Sequence, residues 1–170
     1  MATTQKANQK IETRIDIPEK TREQITAMLN QQLADMFDLY SQTKQAHWNI
    51  KGPEFFQLHK LYDKLAEGLL EDADVAAERI TALGGVALGT ARMAAESSRL
   101  PEFPGQAVTC MQSVEVLAVR FASLVETTRS AIDSASEQQD ETTANILQDI
   151  SSKLDKDLWL LEAHLQLRPS

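Results

Sequence analysis

Residues 53–85 read PEFFQLHKLYDKLAEGLLEDADVAAERITALGG, and the spacing of this stretch decides the fold. Leu58, Leu61, Tyr62, Leu65, Leu69, Ala73, Ala76, Ile80 and Leu83 recur at steps of three and four residues, the period of a helix that buries one stripe. Pro53 suits the first turn of such a helix, and Gly84-Gly85 supplies a stop that tolerates left-handed backbone. The pattern predicts a helix from about residue 53 to 83.

Upstream, Ile25, Met28, Leu29, Gln32, Met36, Phe37, Tyr40, Thr43 and His47 repeat the same period, and Thr21 and Gln24 have the spacing of a capping box. A first helix from Thr21 to about residue 49 is expected, joined to the second across Gly52-Pro53. Residues 1–20 are polar and without apolar periodicity, which predicts a flexible N-terminal tail ahead of a domain spanning 21–168. Downstream, residues 86–104 form a long connection holding a short helix candidate, Thr90 to Ser98. Two further amphipathic runs follow: Met111, Val114, Ala118, Phe121, Val125, Thr128 and Ile132, then Leu147, Ile150, Leu154, Leu158, Leu161 and Leu165, with Asp140 a candidate cap for the last. The fold class is all-α: two helices on a short loop, one long crossover, then two more on a short loop.

The bulk properties agree. The chain has 170 residues, 42% hydrophobic and 25% charged, with 6 Gly and 5 Pro, which fits one largely helical domain with a sizeable core. A net charge of −8 favours cationic ligands over nucleic acid. The single cysteine, Cys110, cannot form an internal disulfide and reads as a small buried hydrophobe. No apolar run approaches the ~20 residues of a membrane helix, and the N-terminus has no apolar signal core. A cytoplasmic location is expected.

The second helix carries chemistry on another flank. At about 100° per residue, with His59 as zero, Asp63 lies near ~40°, Asp74 near ~60° and Glu78 near ~100°, away from the core stripe. Leu70 and Ala77 share this flank, so it has the character of a subunit interface. Asp63 and Asp74 are separated by about 16 Å along the axis, too far to bind one ion. Two such helices packed antiparallel about a two-fold axis pair residues whose numbers share a constant sum, and both Asp63 with Asp74 and His59 with Glu78 share 137. One register therefore completes two identical sites per dimer, each with His59 and Asp63 from one chain and Asp74 and Glu78 from the other. His47 can join His59 across the tight helical hairpin. Taken singly, either pair is more often a solvated or capping arrangement than a ligand pair. Mixed nitrogen and oxygen donors suit Fe(II), with Zn(II), Mn(II) and Co(II) as competitors, and the lack of thiolates disfavours structural zinc.

Gln45-Ala46-His47-Trp48-Asn49-Ile50-Lys51-Gly52, Phe55-Phe56-Gln57-Leu58-His59-Lys60-Leu61-Tyr62-Asp63 and Asp74-Val75-Ala76-Ala77-Glu78-Arg79 closely resemble the signature of the Dps family, the mini-ferritins. Leu83 to Thr90 and Leu154 to Trp159 resemble it too, so the likeness covers roughly residues 21–166. The resemblance implies a ferritin-like four-helix bundle with a short extra helix in its crossover. It also implies a hollow dodecamer that oxidises Fe(II), usually with hydrogen peroxide rather than oxygen, and stores ferric mineral, protecting against oxidative stress. By motif match, His47, His59 and Asp63 of one subunit and Asp74 and Glu78 of its neighbour are the iron ligands, with Zn(II) a competitor there. Trp48 takes the place of a residue that quenches stray oxidising equivalents, although an interface aromatic is an equal reading. An ordinary ferritin would show Glu-x-x-His pairs, and none occurs here.

In similar proteins acids near the start of the last helix line a pore, which points to Asp140, Glu141 and Asp149; Asn145 departs from that acidic pattern, and such acids also compensate a helix dipole. His164 is expected at the surface near the last helix end, and Gly68 points away from the ligand flank without an evident role. The rival function is a nucleoid-associated, DNA-compacting protein. Residues 1–20 carry Lys6, Lys10, Arg14 and Lys20 against Glu12, Asp16 and Glu19, so only weak, salt-sensitive DNA binding is expected.

Overall fold

A computed structural model describes residues 12–105 and 109–166. Five helices follow in order: α1 (Glu19–Asn49), α2 (Phe55–Ala82), α3 (Ala91–Ser97), α4 (Cys110–Glu137) and α5 (Glu141–Ala163). The four long helices form the bundle, α1 packing chiefly against α2 and α4 against α5, while α3 lies on α1 within the crossover. This is the all-α architecture the periodicity predicts. Tyr62 and Phe121 are the largest fully buried side chains. The Tyr62 hydroxyl bonds Ser113 Oγ at 2.8 Å, and burial pushes its pKa up to about 12. Cys110 is buried, as expected, with Sγ 3.0 Å from the Lys51 carbonyl.

Helix ends differ from expectation where backbone chemistry overrides pattern. No capping box forms at Thr21 and Gln24, because Pro18 starts α1 earlier: it occupies the N-cap with φ −53° and ψ 140°, and its carbonyl accepts from Arg22 N at 3.0 Å. Pro53 likewise lies just ahead of α2 rather than in its first turn, Glu54 being the N-cap. Gly52 makes this corner with φ +131°, a conformation that favours glycine.

At its other end α2 stops as predicted. Gly84 has φ +81°, Gly84 N donates to Thr81 O and Gly85 N to Ile80 O, the paired bonds of a Schellman turn. A Cβ on Gly85 would sit 2.7 Å from Thr26 Cγ2, so the chain crosses α1 here at glycine-only distance.

Residues 13–20 are held to the bundle, although the sequence predicts a tail through residue 20. Thr13, Ile15 and Ile17 turn inward in alternation, with Ile15 and Ile17 packed on the core, a period-two pattern hidden by the polar residues between them. Thr13 Oγ1 donates to Ala82 O, and Arg22 reaches the Ile17 and Leu83 carbonyls at 3.0 and 2.9 Å. The N-terminal stretch thus helps to satisfy the carbonyls at the end of α2. Residues 1–11, with Lys6 and Lys10, lie outside the described residues.

The crossover is tied to α1 by side chains. Asn30 donates to Val86 O and accepts from Leu88 N, mimicking one rung of a strand pair. Asp35, 1% exposed, accepts from the Arg99 amide and guanidinium and from Gln31. Thr90 caps α3, Thr109 and Gln112 form a full capping box on α4, and Asp140 caps α5 as predicted. Among the described residues, no helix is long and apolar enough to cross a membrane.

Candidate metal centre

His47 stands in the last turn of α1 and His59 near the start of α2, so the Gly52 corner lays one ring over the other. Their centroids are 3.8 Å apart with 20° between planes, and Phe55 flanks His59 at 5.0 Å. Each histidine bonds the main chain of the other: His47 Nδ1 lies 2.9 Å from His59 O, and His59 Nδ1 lies 3.1 Å from His47 O. A carbonyl only accepts, so both Nδ1 atoms carry hydrogen, and in the neutral rings both Nε2 lone pairs are left for a metal.

Asp63, one turn beyond His59, joins them: its Oδ1 is 3.9 Å from His47 Nε2. The same oxygen takes Lys44 Nζ at 2.7 Å, and this hydrogen bond from Lys44 holds the Asp63 pKa below its ordinary value. Lys44 precedes His47 by three residues and so shares its helix face. It is missing from the sequence-predicted set because ligand motifs contain no lysine, yet its spacing from His47 was a readable signal.

Asp74 and Glu78 lie farther along α2, exposed, and do not meet the other three within one chain. Asp74 borders a shallow groove of about 260 Å³ whose walls include Leu33, Phe37, Leu70 and Ala77. Among the described residues of one chain, no three His, Cys, Asp or Glu side chains are arranged to hold a metal ion. Trp48, beside His47, is 68% exposed, with Lys44 Nζ 5.9 Å from its ring.

Of the expected pore acids, Glu141 and Asp149 are exposed, but Asp140 is not. It is 2% exposed, accepts from Arg79 Nη2 at 2.8 and 3.0 Å, and bonds the Thr143 amide and hydroxyl. Burial pushes its pKa up, but Thr143 and Arg79 outweigh that and hold it below the usual range. Its carboxylate is committed to the α5 cap and to α2, which removes it from any pore lining in this chain. His164 stands at the α5 C-cap, half-buried.

A second acidic group went unnoticed in sequence because it needs two helices. Asp72, 2% exposed on α2, is paired with Lys153 of α5 at 2.6 Å. Asp157, half-buried one turn farther along α5, has its pKa raised to about 6 by burial and by the Asp72 carboxylate, against Lys64, Lys156 and Lys153.

The family model for the ferritin-like domain matches residues 26–169. The DNA protection during starvation protein of Agrobacterium fabrum is 38% identical over 91% of this chain and 95% of its own length. That of Brevibacillus brevis is 33% identical over 84% and 95%. Among solved structures, DpsC from Streptomyces coelicolor superposes with a TM-score of 0.90 at 29% identity, covering 99% of each chain. The archaeal Dps homologue from Halobacterium salinarum gives 0.89 at 27%, covering 99% of this chain and 96% of its own. The Vibrio cholerae Dps protein, described as a member of a broad superfamily of ferritin-like diiron-carboxylate proteins, gives 0.86 at 26% over 94% and 100%. The chain belongs to the Dps family of ferritin-like proteins.

Proposed function

We propose that this protein is a Dps-type ferroxidase and iron store, which binds Fe(II) between two copies of the chain, oxidises it with hydrogen peroxide and holds the ferric product inside a hollow dodecamer. The observation that carries the reading is the reciprocal His47–His59 lock, which engages both Nδ1 atoms and leaves both Nε2 atoms to ligate, that of His47 lying beside Asp63. Asp74 and Glu78 then complete the site from the second copy, by the register that pairs Asp63 with Asp74 and His59 with Glu78.

Iron is the substrate. Each hydrogen peroxide takes one electron from each of two Fe(II) ions and is reduced to water, so no hydroxyl radical is released. Hard carboxylate oxygens favour the higher charge of Fe(III), while neutral imidazoles leave room for the oxidant. Zn(II) competes for the same donors. Protection of DNA, which the names of the relatives describe, follows from removing Fe(II) and peroxide together; the net charge of −8 disfavours a direct grip on DNA. In this reading Trp48 intercepts stray oxidising equivalents, and Glu141 and Asp149 admit Fe(II). The location is cytoplasmic.

Anaerobic Fe(II) loading followed by peroxide tests this in His59→Ala and Asp74→Ala, made singly and co-assembled. Each variant alone loses fast oxidation. In a mixed dimer one site carries both lesions and the other carries neither, so random co-assembly restores about a quarter of the sites. No recovery on mixing, or undiminished oxidation in either variant, sinks the shared site.

A further inference from the structure

Asp38, Ser41, Gln42, Gln45 and Trp48 recur at steps of three and four residues along one side of α1, and residues 102–105 lie across them. Between the two is a cleft of about 460 Å³, within the range of small-molecule sites. None of the five proposed iron ligands lines it.

Its chemistry has one sign. The charged side chains that line it are Asp38 and Glu102, both carboxylates. Arg120 lies outside the lining and is committed to the Pro101 and Glu102 main-chain carbonyls, and Lys44 is neutralised by Asp63. Gln42, 4% exposed, belongs to the lining. Its Nε2 donates to Asp38 Oδ1 at 3.2 Å and to Pro101 O at 3.1 Å, both acceptors, which fixes the amide orientation. Its Oε1 is buried and has no hydrogen-bond partner among the described residues. The charged groups that line the cleft are thus acceptors, and its neutral donors include the Ser41 hydroxyl and the Gln45 amide.

Two aromatic side chains line it, Trp48 and Phe103, and the Trp48 ring already attracts one cation, Lys44. We propose that this cleft binds a small organic cation, an ammonium or guanidinium group carried on an apolar or aromatic body. The head group pairs with the exposed Glu102 carboxylate, and the body lies against Trp48 and Phe103.

Calorimetric titration of the assembled protein near neutral pH tests this with three probes of one shape: phenethylammonium, 2-phenylethanol and phenylacetate. Saturable binding of the cation is expected, with the neutral probe about tenfold weaker and no binding of the anion. Glu102→Gln removes an exposed charge without touching the core; it should weaken the cation roughly tenfold while leaving peroxide-driven iron oxidation unchanged. Phe103→Leu should weaken the cation and the neutral probe alike. Equal binding of phenylacetate, indifference to Glu102→Gln, or a cleft closed to all three probes because a second copy fills it would each overturn the proposal.

Discussion

His47 and His59 each donate Nδ1–H to the main-chain carbonyl of the other, at 2.9 and 3.1 Å, so two residues twelve apart in sequence fix one another's tautomer. The lock depends on the corner between them, where Gly52 takes φ +131° and a Cβ would stand 3.2 Å from Cys110 Sγ. Gly52→Ala should destabilise the protein by about 1–3 kcal/mol, the usual cost of a strained backbone, and should weaken Co(II) binding as the rings part. Denaturant unfolding combined with cobalt absorption checks both, and unchanged cobalt affinity would detach the corner from the site.

Lys44 occupies the Asp63 oxygen that the proposed site gives to a metal. Lys44→Met removes this competing cation and should tighten Co(II) or Zn(II) binding a few-fold, while letting the Asp63 pKa rise toward its ordinary value. Metal titration at several pH values is the measurement. Weaker binding in Lys44→Met would mean that the ammonium helps to build the site.

The Arg79–Asp140 pair joins α2 to the start of α5, with side chains 10% and 1% exposed. Arg79→Ala leaves a buried carboxylate unpaired and should cost about 3 kcal/mol in unfolding free energy. Because the folded Asp140 pKa is depressed, its contribution is present above the unfolded value near ~3.9 and is lost as pH falls through the folded value. Asp140→Asn should therefore flatten acid unfolding, while iron entry slows only in Glu141→Gln or Asp149→Asn.

Asp157 has the opposite sign. Its pKa of about 6 lies above the unfolded value near ~3.9, so its stabilising contribution is complete below that value and is lost as pH rises through 6. Denaturation at pH ~4.5 and ~7.5 should show Asp157→Asn gaining on the wild type at the higher pH. A gap that does not change with pH would place the carboxyl in water.

Gly68 sits mid-helix in α2, and a Cβ there meets nothing within 4 Å. Gly68→Ala should raise stability by about 0.5–1 kcal/mol through helix propensity alone. Gly85→Ala should do the reverse, because its Cβ would meet Thr26 Cγ2 at 2.7 Å. Thermal unfolding of the pair separates a spare glycine from a required one.

The sequence by itself determined the four long helices, the crossover, the Asp140 cap and the shared flank of α2 on which His59, Asp63, Asp74 and Glu78 lie, because each rests on a period or on a local backbone preference. It also carried the conclusion that Asp63 and Asp74 cannot share an ion within one chain, since helix rise alone sets their separation. The tertiary structure decided what depends on segments distant in sequence. It showed that Ile15 and Ile17 lie on the core, that Asp140 is turned inward by Arg79, that Lys44 holds Asp63, and that the two histidines close on each other's carbonyls. The physical reason is that periodicity reports which face is apolar, whereas a polar side chain is directed by whichever charge or carbonyl the fold brings within about 3 Å.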